Sequence, residues 1–183
     1  QRSIVIFNVP EEGPAYTNLA DTIEGIGCIA RDTVQAIGSD VLFLDSAGVR
    51  TLGRTIQEKS IPIGDVSVNV RSDLKKAIQA SDLRRVKSVY HPEDSFYAVF
   101  FPDIDLTYVF DNRRSLDSGA LRPTRWPNIG ICCSARSIER RTWFAGGGGL
   151  YSYQGSEDGV YDVAGAMVHI PDPEINATYR VVP

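Results

Sequence analysis

One device recurs along the chain: a short run of alternating apolar and polar residues, halted by a turn rich in Gly, Asp or Pro. Successive strand residues point to opposite faces, so such runs read as half-buried strands joined into hairpins. Ser3–Val9 is the first, stopped by Pro10. Candidate strands at Cys28–Ala30, Thr33–Ile37, Asp40–Leu44 and Val49–Leu52 follow, with tight turns at Gly38–Ser39 and Ser46–Gly48. A comparable group comprises Val86–Tyr90, Ser95–Phe101 and Leu106–Phe110, separated by HPED and PDID turns. A third comprises Ile129–Ala135, Arg141–Ala145 and Leu150–Tyr153.

These groups define units near residues 28–55, 84–112 and 129–155. A repeat of roughly 40–60 residues built from antiparallel strands is the pattern of propeller blades. The expected fold is therefore mostly β, with antiparallel propeller-like blades in a single β-rich domain over residues 1–183. A sandwich or barrel, or a mixed α+β fold without repeats, stands as the alternative. Three blades do not close a ring, so another segment or another chain is expected to complete it. Ile4–Phe7 and Ala166–Ile170 are available as partners. One short helix interrupts the pattern at about Asp73–Ala80, with Ser72 as N-cap and Leu74, Ala77 and Ile78 on one apolar stripe.

Composition narrows the function. Of 183 residues, 43% are hydrophobic and 23% charged, a soluble globular balance for about one domain. The formal net charge of −4 disfavours capture of nucleic acid by bulk charge. No run approaches the ~20 apolar residues of a membrane helix, and the start reads neither as a signal peptide nor as an anchor, although a removed leader or missing upstream portion stays open.

Few residues suggest chemistry. Cys28 stands alone, and strand alternation points Cys132 and Cys133 to opposite faces, so all three read as buried free thiols, with one disulfide, or a catalytic or metal role, as the alternatives. The run Gly146–Gly149 lacks the Lys-Ser/Thr and helix of a phosphate loop and reads as a turn. Asp103 and Asp105 would share a face if extended, which leaves a weak cation site or a carboxylate pair as alternatives to a solvated turn. His91 sits in a turn and His169 in a late apolar strand, with no nucleophile-elbow serine nearby. The sequon at Asn176 and the SEDG segment, Ser156–Gly159, read as chance and as a turn. Catalytic, cofactor and metal residues are all expected to be none.

The cations are more suggestive, since 15 of 19 are arginine. Arginine suits fixed bidentate or stacked contacts better than lysine. Arg113, Arg114, Arg122, Arg125, Arg140 and Arg141, with Trp126 beside Arg125, are the candidate interface residues. Acidic neighbours Asp111, Asp117 and Glu139 leave structural ion pairing open as the alternative.

Two stretches carry a resemblance. DTVQAIGSDVLFLDSAGVRTLGR, followed by IPIGDVSVNVRSDL, resembles the strand–turn segments of tail tubular or nozzle proteins of short-tailed bacteriophages. FYAVFFPDIDLTYVFDNRRSLDSGALRPTRW is similar to their aromatic hairpin, charged connection and tryptophan, and GGGGLYSYQG to a following blade turn. The resemblance implies a non-enzymatic virion component of the bacteriophage tail, in a ring commonly sixfold, contacting other copies of itself, portal, adaptor and other tail proteins. It implies a conduit for viral DNA passing transiently into the host, with no cofactor and no catalytic motif. Members of that family are generally much longer than this chain. The alternatives are a ligand- or glycan-binding propeller-like module and a glycan hydrolase with a carboxylate pair.

Overall fold

Phe96–Phe101 reads FYAVFF, and all six side chains are buried. An antiparallel strand with one solvated face would alternate; a strand apolar at every position must be covered on both sides. The computed structural model describes residues 3–9, 17–58, 65–113, 116, 119–127, 131–136, 142–146, 149–153 and 179–181, and this strand runs through the middle of them. It lies in a four-stranded antiparallel sheet of β6 (Lys87–His91), β7 (Phe96–Phe101), β8 (Leu106–Asp111) and β9 (Arg122–Pro127), in that order. Tyr97, Val99 and Phe101 face one core, and Phe96, Ala98 and Phe100 face another.

The first core is closed by a three-stranded antiparallel sheet of β3 (Gln35–Ile37), β4 (Asp40–Asp45) and β5 (Gly48–Thr51), which supplies Leu42, Leu44 and Val49. Helix α2 (Arg71–Ala80) adds Leu74 and Ala77. The second core receives Trp126 from β9, with Ile131 and Phe144 from β10 (Ile131–Arg136) and β11 (Thr142–Gly146). These two strands continue through β12 (Gly149–Tyr153) and β13 (Tyr179–Val181) as a second four-stranded antiparallel sheet. A two-stranded ribbon of β1 (Ser3–Asn8) and β2 (Asn18–Glu24) packs Ile4, Ile6 and Ile23 onto Ile26 and Phe43, with Leu52 and Ile56 of α1 (Leu52–Glu58). Each fully buried large side chain contributes about 1.5–3 kcal/mol.

The propeller expectation fails. The sheets are open and antiparallel, hold two, three, four and four strands among the described residues, and do not close as blades of a ring. Alternation and turn chemistry report antiparallel pairing, but they carry no information on closure. Equivalent blades are further ruled out by the helices inserted between β5 and β6. The helix expected at Asp73–Ala80 begins at Arg71, and Ser72 makes no cap; the entering 3-10 turn Val68–Val70 takes that place. Among the described residues no helix is long and apolar enough to cross a membrane.

Polar burial concentrates at the β4–β5 hairpin. Asp45 and Arg50, each with a side chain 3% exposed, form an ion pair at 3.1 Å. Beside it, Asp65 accepts from the Ser67 amide at 2.8 Å and hydroxyl at 2.5 Å, and pairs with Arg71 at 2.8 Å. The Ser67 hydroxyl oxygen accepts the Val49 amide at 2.9 Å. Gly48 (φ +154°) lies against this knot: a Cβ there would overlap the Ser67 hydroxyl and stand 2.8 and 2.9 Å from the Asp65 oxygens. Gly48→Ala is therefore expected to destabilise the protein by about 1–3 kcal/mol. Urea unfolding should show a lower midpoint with an unchanged m-value; an unchanged midpoint would contradict this packing.

Candidate functional site

An open polar groove runs from the 3-10 turn Arg31–Thr33 across β6 to β10. It comprises two adjoining depressions of about 400 and 440 Å³ that share Arg31 and Asp32. Ile29, Leu83 and Arg84 line one; Gln35, Lys87, Ser88, Cys133 and Ser134 line the other. The turn holds Asp32 there because the Thr33 hydroxyl donates to the Ala30 carbonyl at 2.6 Å and accepts the Leu44 amide at 3.2 Å. Lys87 and Arg31 both engage Asp32, and their hydrogen bonds, Lys87 first, hold its carboxyl below the usual range.

The remaining groove polar groups are also partnered. Gln35 Nε2 donates to the Ser88 carbonyl at 3.1 Å, as does the Ser134 hydroxyl at 3.2 Å. Ser88 Oγ donates to the Asp32 carbonyl at 3.2 Å, and Arg84 is taken by Asp82 at 2.9 Å. An anionic ligand would have to displace Asp32 from Lys87. Burial pushes the Cys133 thiol up, with Lys87 opposing only weakly, so the groove contains no prepared thiolate nucleophile.

A second cluster surrounds His91, at the end of β6. Its ring is 6% exposed as a residue, stacks on Phe96 at 5.1 Å and meets Tyr153 edge-on at 4.8 Å. Nδ1 accepts the Asp94 amide at 3.1 Å, which leaves the ring neutral with its proton on Nε2. Burial lowers the His91 pKa, against the pull of Asp94 and Glu93; Arg136, itself paired with Glu93, lowers it further. Tyr153 is pushed up by burial and by Asp94.

The arginines named from sequence are dispersed. Arg113 forks onto Asp111 at 2.7–3.2 Å and holds that carboxyl below its usual range, with Arg122 adding a smaller charge effect from the paired position on β9. Arg125 pairs with Asp73 on α2, its guanidinium 5.5 Å from the Tyr108 ring centroid. Trp126 faces the other way: it is 7% exposed, edge-on to Phe96 at 5.9 Å and stacked on Tyr153 at 6.5 Å. Strand alternation thus separates Arg125 from its neighbouring indole. Arg114, Arg140 and Arg141 lie outside the described residues, as do His169, Asn176, Ser156–Gly159 and Ala166–Ile170.

Asp103 accepts the Asp82 amide at 2.8 Å and pairs with Arg85, whereas Asp105 takes a left-handed turn position (φ +52°). They form no carboxylate pair. Among the described residues no three His, Cys, Asp or Glu side chains gather as a metal site. Gly146 and Gly149 pair as the ends of a hairpin, followed by strand β12, and Gly147–Gly148 lie outside the described residues.

The expectation of buried thiols is corrected: Cys28, Cys132 and Cys133 are all exposed. A further exposed feature is the outer face of the β1–β2 ribbon. Val5 (46% exposed), Phe7 (54%), Leu19 (62%) and the adjoining Val9 (68%) face solvent, and Phe7 is paired directly with Leu19.

Comparison with known proteins finds no matching family model, no matching curated protein and no matching solved structure. The resemblance to phage tail tubular proteins is therefore withdrawn, and with it the conduit function, the virion terms and both alternatives, the propeller-like ligand-binding module and the glycan hydrolase. Strand–turn segments of this composition arise in any antiparallel sheet, so the quoted stretches had reported local pairing and not ancestry.

The His91 surroundings generate a pH dependence. Because its folded pKa lies below the ordinary 6.5, the unfolded chain binds the proton more readily. Stability is then full above about pH 6.5 and declines as the pH falls toward the lower folded value. Chemical unfolding from pH 7.5 to 5 should show that decline, and His91→Gln should flatten it. The lowered carboxylates Asp32, Asp82 and Asp111 have the same sign, but their losses begin only as pH approaches their ordinary 3.8. An identical slope in His91→Gln would refute the assignment.

Proposed function

We propose that this chain is a structural association module, not a catalyst, and that it pairs β1 of one copy with β1 of a second. The observation that carries this reading is the exposed Phe7–Leu19 cross-strand pair, with Val5 beside it, on a two-stranded ribbon. Among the described residues β1 pairs only with β2, and no described strand takes its other edge. The β1 sequence SIVIFN contains no charge, no Pro and no Gly, the composition of a strand that accepts another strand.

Charge selects the occupant. A two-fold interface sets the same strand against itself, residue i meeting residue j and j meeting i. An uncharged β1 tolerates this, whereas β2 carries Asp21 and Glu24 and would bring carboxylates together. Antiparallel β1–β1 pairing places Val5 and Phe7 of the two copies on one continuous apolar face. The charged groups of the polar groove, by contrast, are already engaged with one another.

Sedimentation velocity tests the proposal. The chain should convert from monomer to dimer below roughly 100 µM, and Phe7→Glu should weaken the dimer by about 30-fold or more. Phe7 is exposed, so its substitution should leave the thermal midpoint of dilute protein unchanged. A chain that stays monomeric at that concentration, or a dimer indifferent to Phe7→Glu, overturns the reading.

A further inference from the structure

Adjacent residues on a regular strand cannot present side chains to one ligand, but β10 is not regular at its cysteines. Ile131 pairs with Gly146 and Cys133 with Ala145, so two steps on β10 match one on β11 and Cys132 is the inserted residue. Such a bulge re-aims side chains and interrupts the alternation. The outcome is that Cys132 and Cys133, adjacent at the bulge, are both exposed, and Cys132 acts electrostatically on the Cys133 thiol. The Cys132 thiol also donates to the Ala145 carbonyl at 3.2 Å, which fixes its direction.

We propose that Cys132 and Cys133 form a dithiol site for a soft, monovalent metal ion of the Cu(I) class. Thiolate sulfur is the ligand type such ions select, and two sulfurs satisfy a low coordination number. On binding, two S–H bonds break, two metal–sulfur bonds form and two protons pass to solvent, while the metal keeps its oxidation state. The dithiolate complex carries a net negative charge. Lys87, which lines the same stretch of groove as Cys133, offsets it despite its pairing with Asp32. Proton release makes affinity rise with pH. The site is independent of the β1 ribbon.

The test is titration of the fully reduced chain with Cu(I), under anaerobic conditions, against a chromogenic Cu(I) chelator. One ion per chain is expected. Cys132→Ser and Cys133→Ser should each weaken binding by about 100-fold, because either change removes the chelate advantage of two linked donors. Cys28→Ser should leave it intact, since Cys28 sits elsewhere, donating to the Ala30 carbonyl at 3.0 Å. Thiol-reactive labelling of each variant confirms that the remaining thiols are reduced and accessible. Retention of tight binding in either β10 variant, equal loss in Cys28→Ser, or no binding by the reduced wild-type chain overturns the proposal. Phe7→Glu should bind Cu(I) as wild type does, so failure here and failure of the association proposal are separable.

Discussion

The structure depends on one strand that has no solvent face. Because β7 is covered on both sides, the chain must supply two apolar layers, and each other element can be understood by which side it covers. β4, β5 and α2 serve Tyr97, Val99 and Phe101; β9, β10 and β11 serve Phe96, Ala98 and Phe100. The two layers are tied through β7 itself, so a change to one side alters the support of the other. Edge position also explains β9, which holds Pro123 and Pro127: proline gives no ladder amide and is tolerated at the border of a sheet.

Polar burial works differently. Removing one partner of a buried ion pair costs about 3–5 kcal/mol, while the intact pair gains little over apolar packing. Asp45–Arg50 is thus poor evidence for stability but strong evidence for geometry. It fixes the β4–β5 hairpin, while Ser67 ties the amide of Val49 to Asp65, and Asp65 reaches Arg71 at the start of α2. A hairpin, a crossing segment and a helix are thereby held in one register. Gly48 is required because this network leaves no space for a Cβ.

Local pairing was legible in the sequence, and spatial arrangement was not. Val86–Tyr90, Ser95–Phe101 and Leu106–Phe110 differ from β6, β7 and β8 by a residue or so, since alternation and turn residues act locally. The helix stripe Leu74, Ala77 and Ile78 was readable for the same reason. Leu52–Glu58 was missed because it follows β5 without a turn signal; its first turn is held from a distance by Asp40, which accepts the Gly53 amide at 2.8 Å. β2 and β9 were missed because neither shows clean alternation. Sheet closure failed outright, because the residues that decide it are contacts between sheets and leave no periodic trace.

At the candidate sites, the misreadings share a cause. Strict alternation correctly separates Arg125 from Trp126, which join opposite faces of β9, yet does not hold at Cys132 and Cys133, where a bulge interrupts it. The difference is one inserted residue, and a bulge is determined by the partner strand, whose register no single segment discloses. Among the described arginines, Arg113, Arg125 and Arg84 are engaged by acids of the same chain. What distinguishes the β1–β2 ribbon is the opposite condition. Its Phe7 and Leu19 are exposed and pair with each other across the ribbon, and the strand that carries Phe7 has no charged residue.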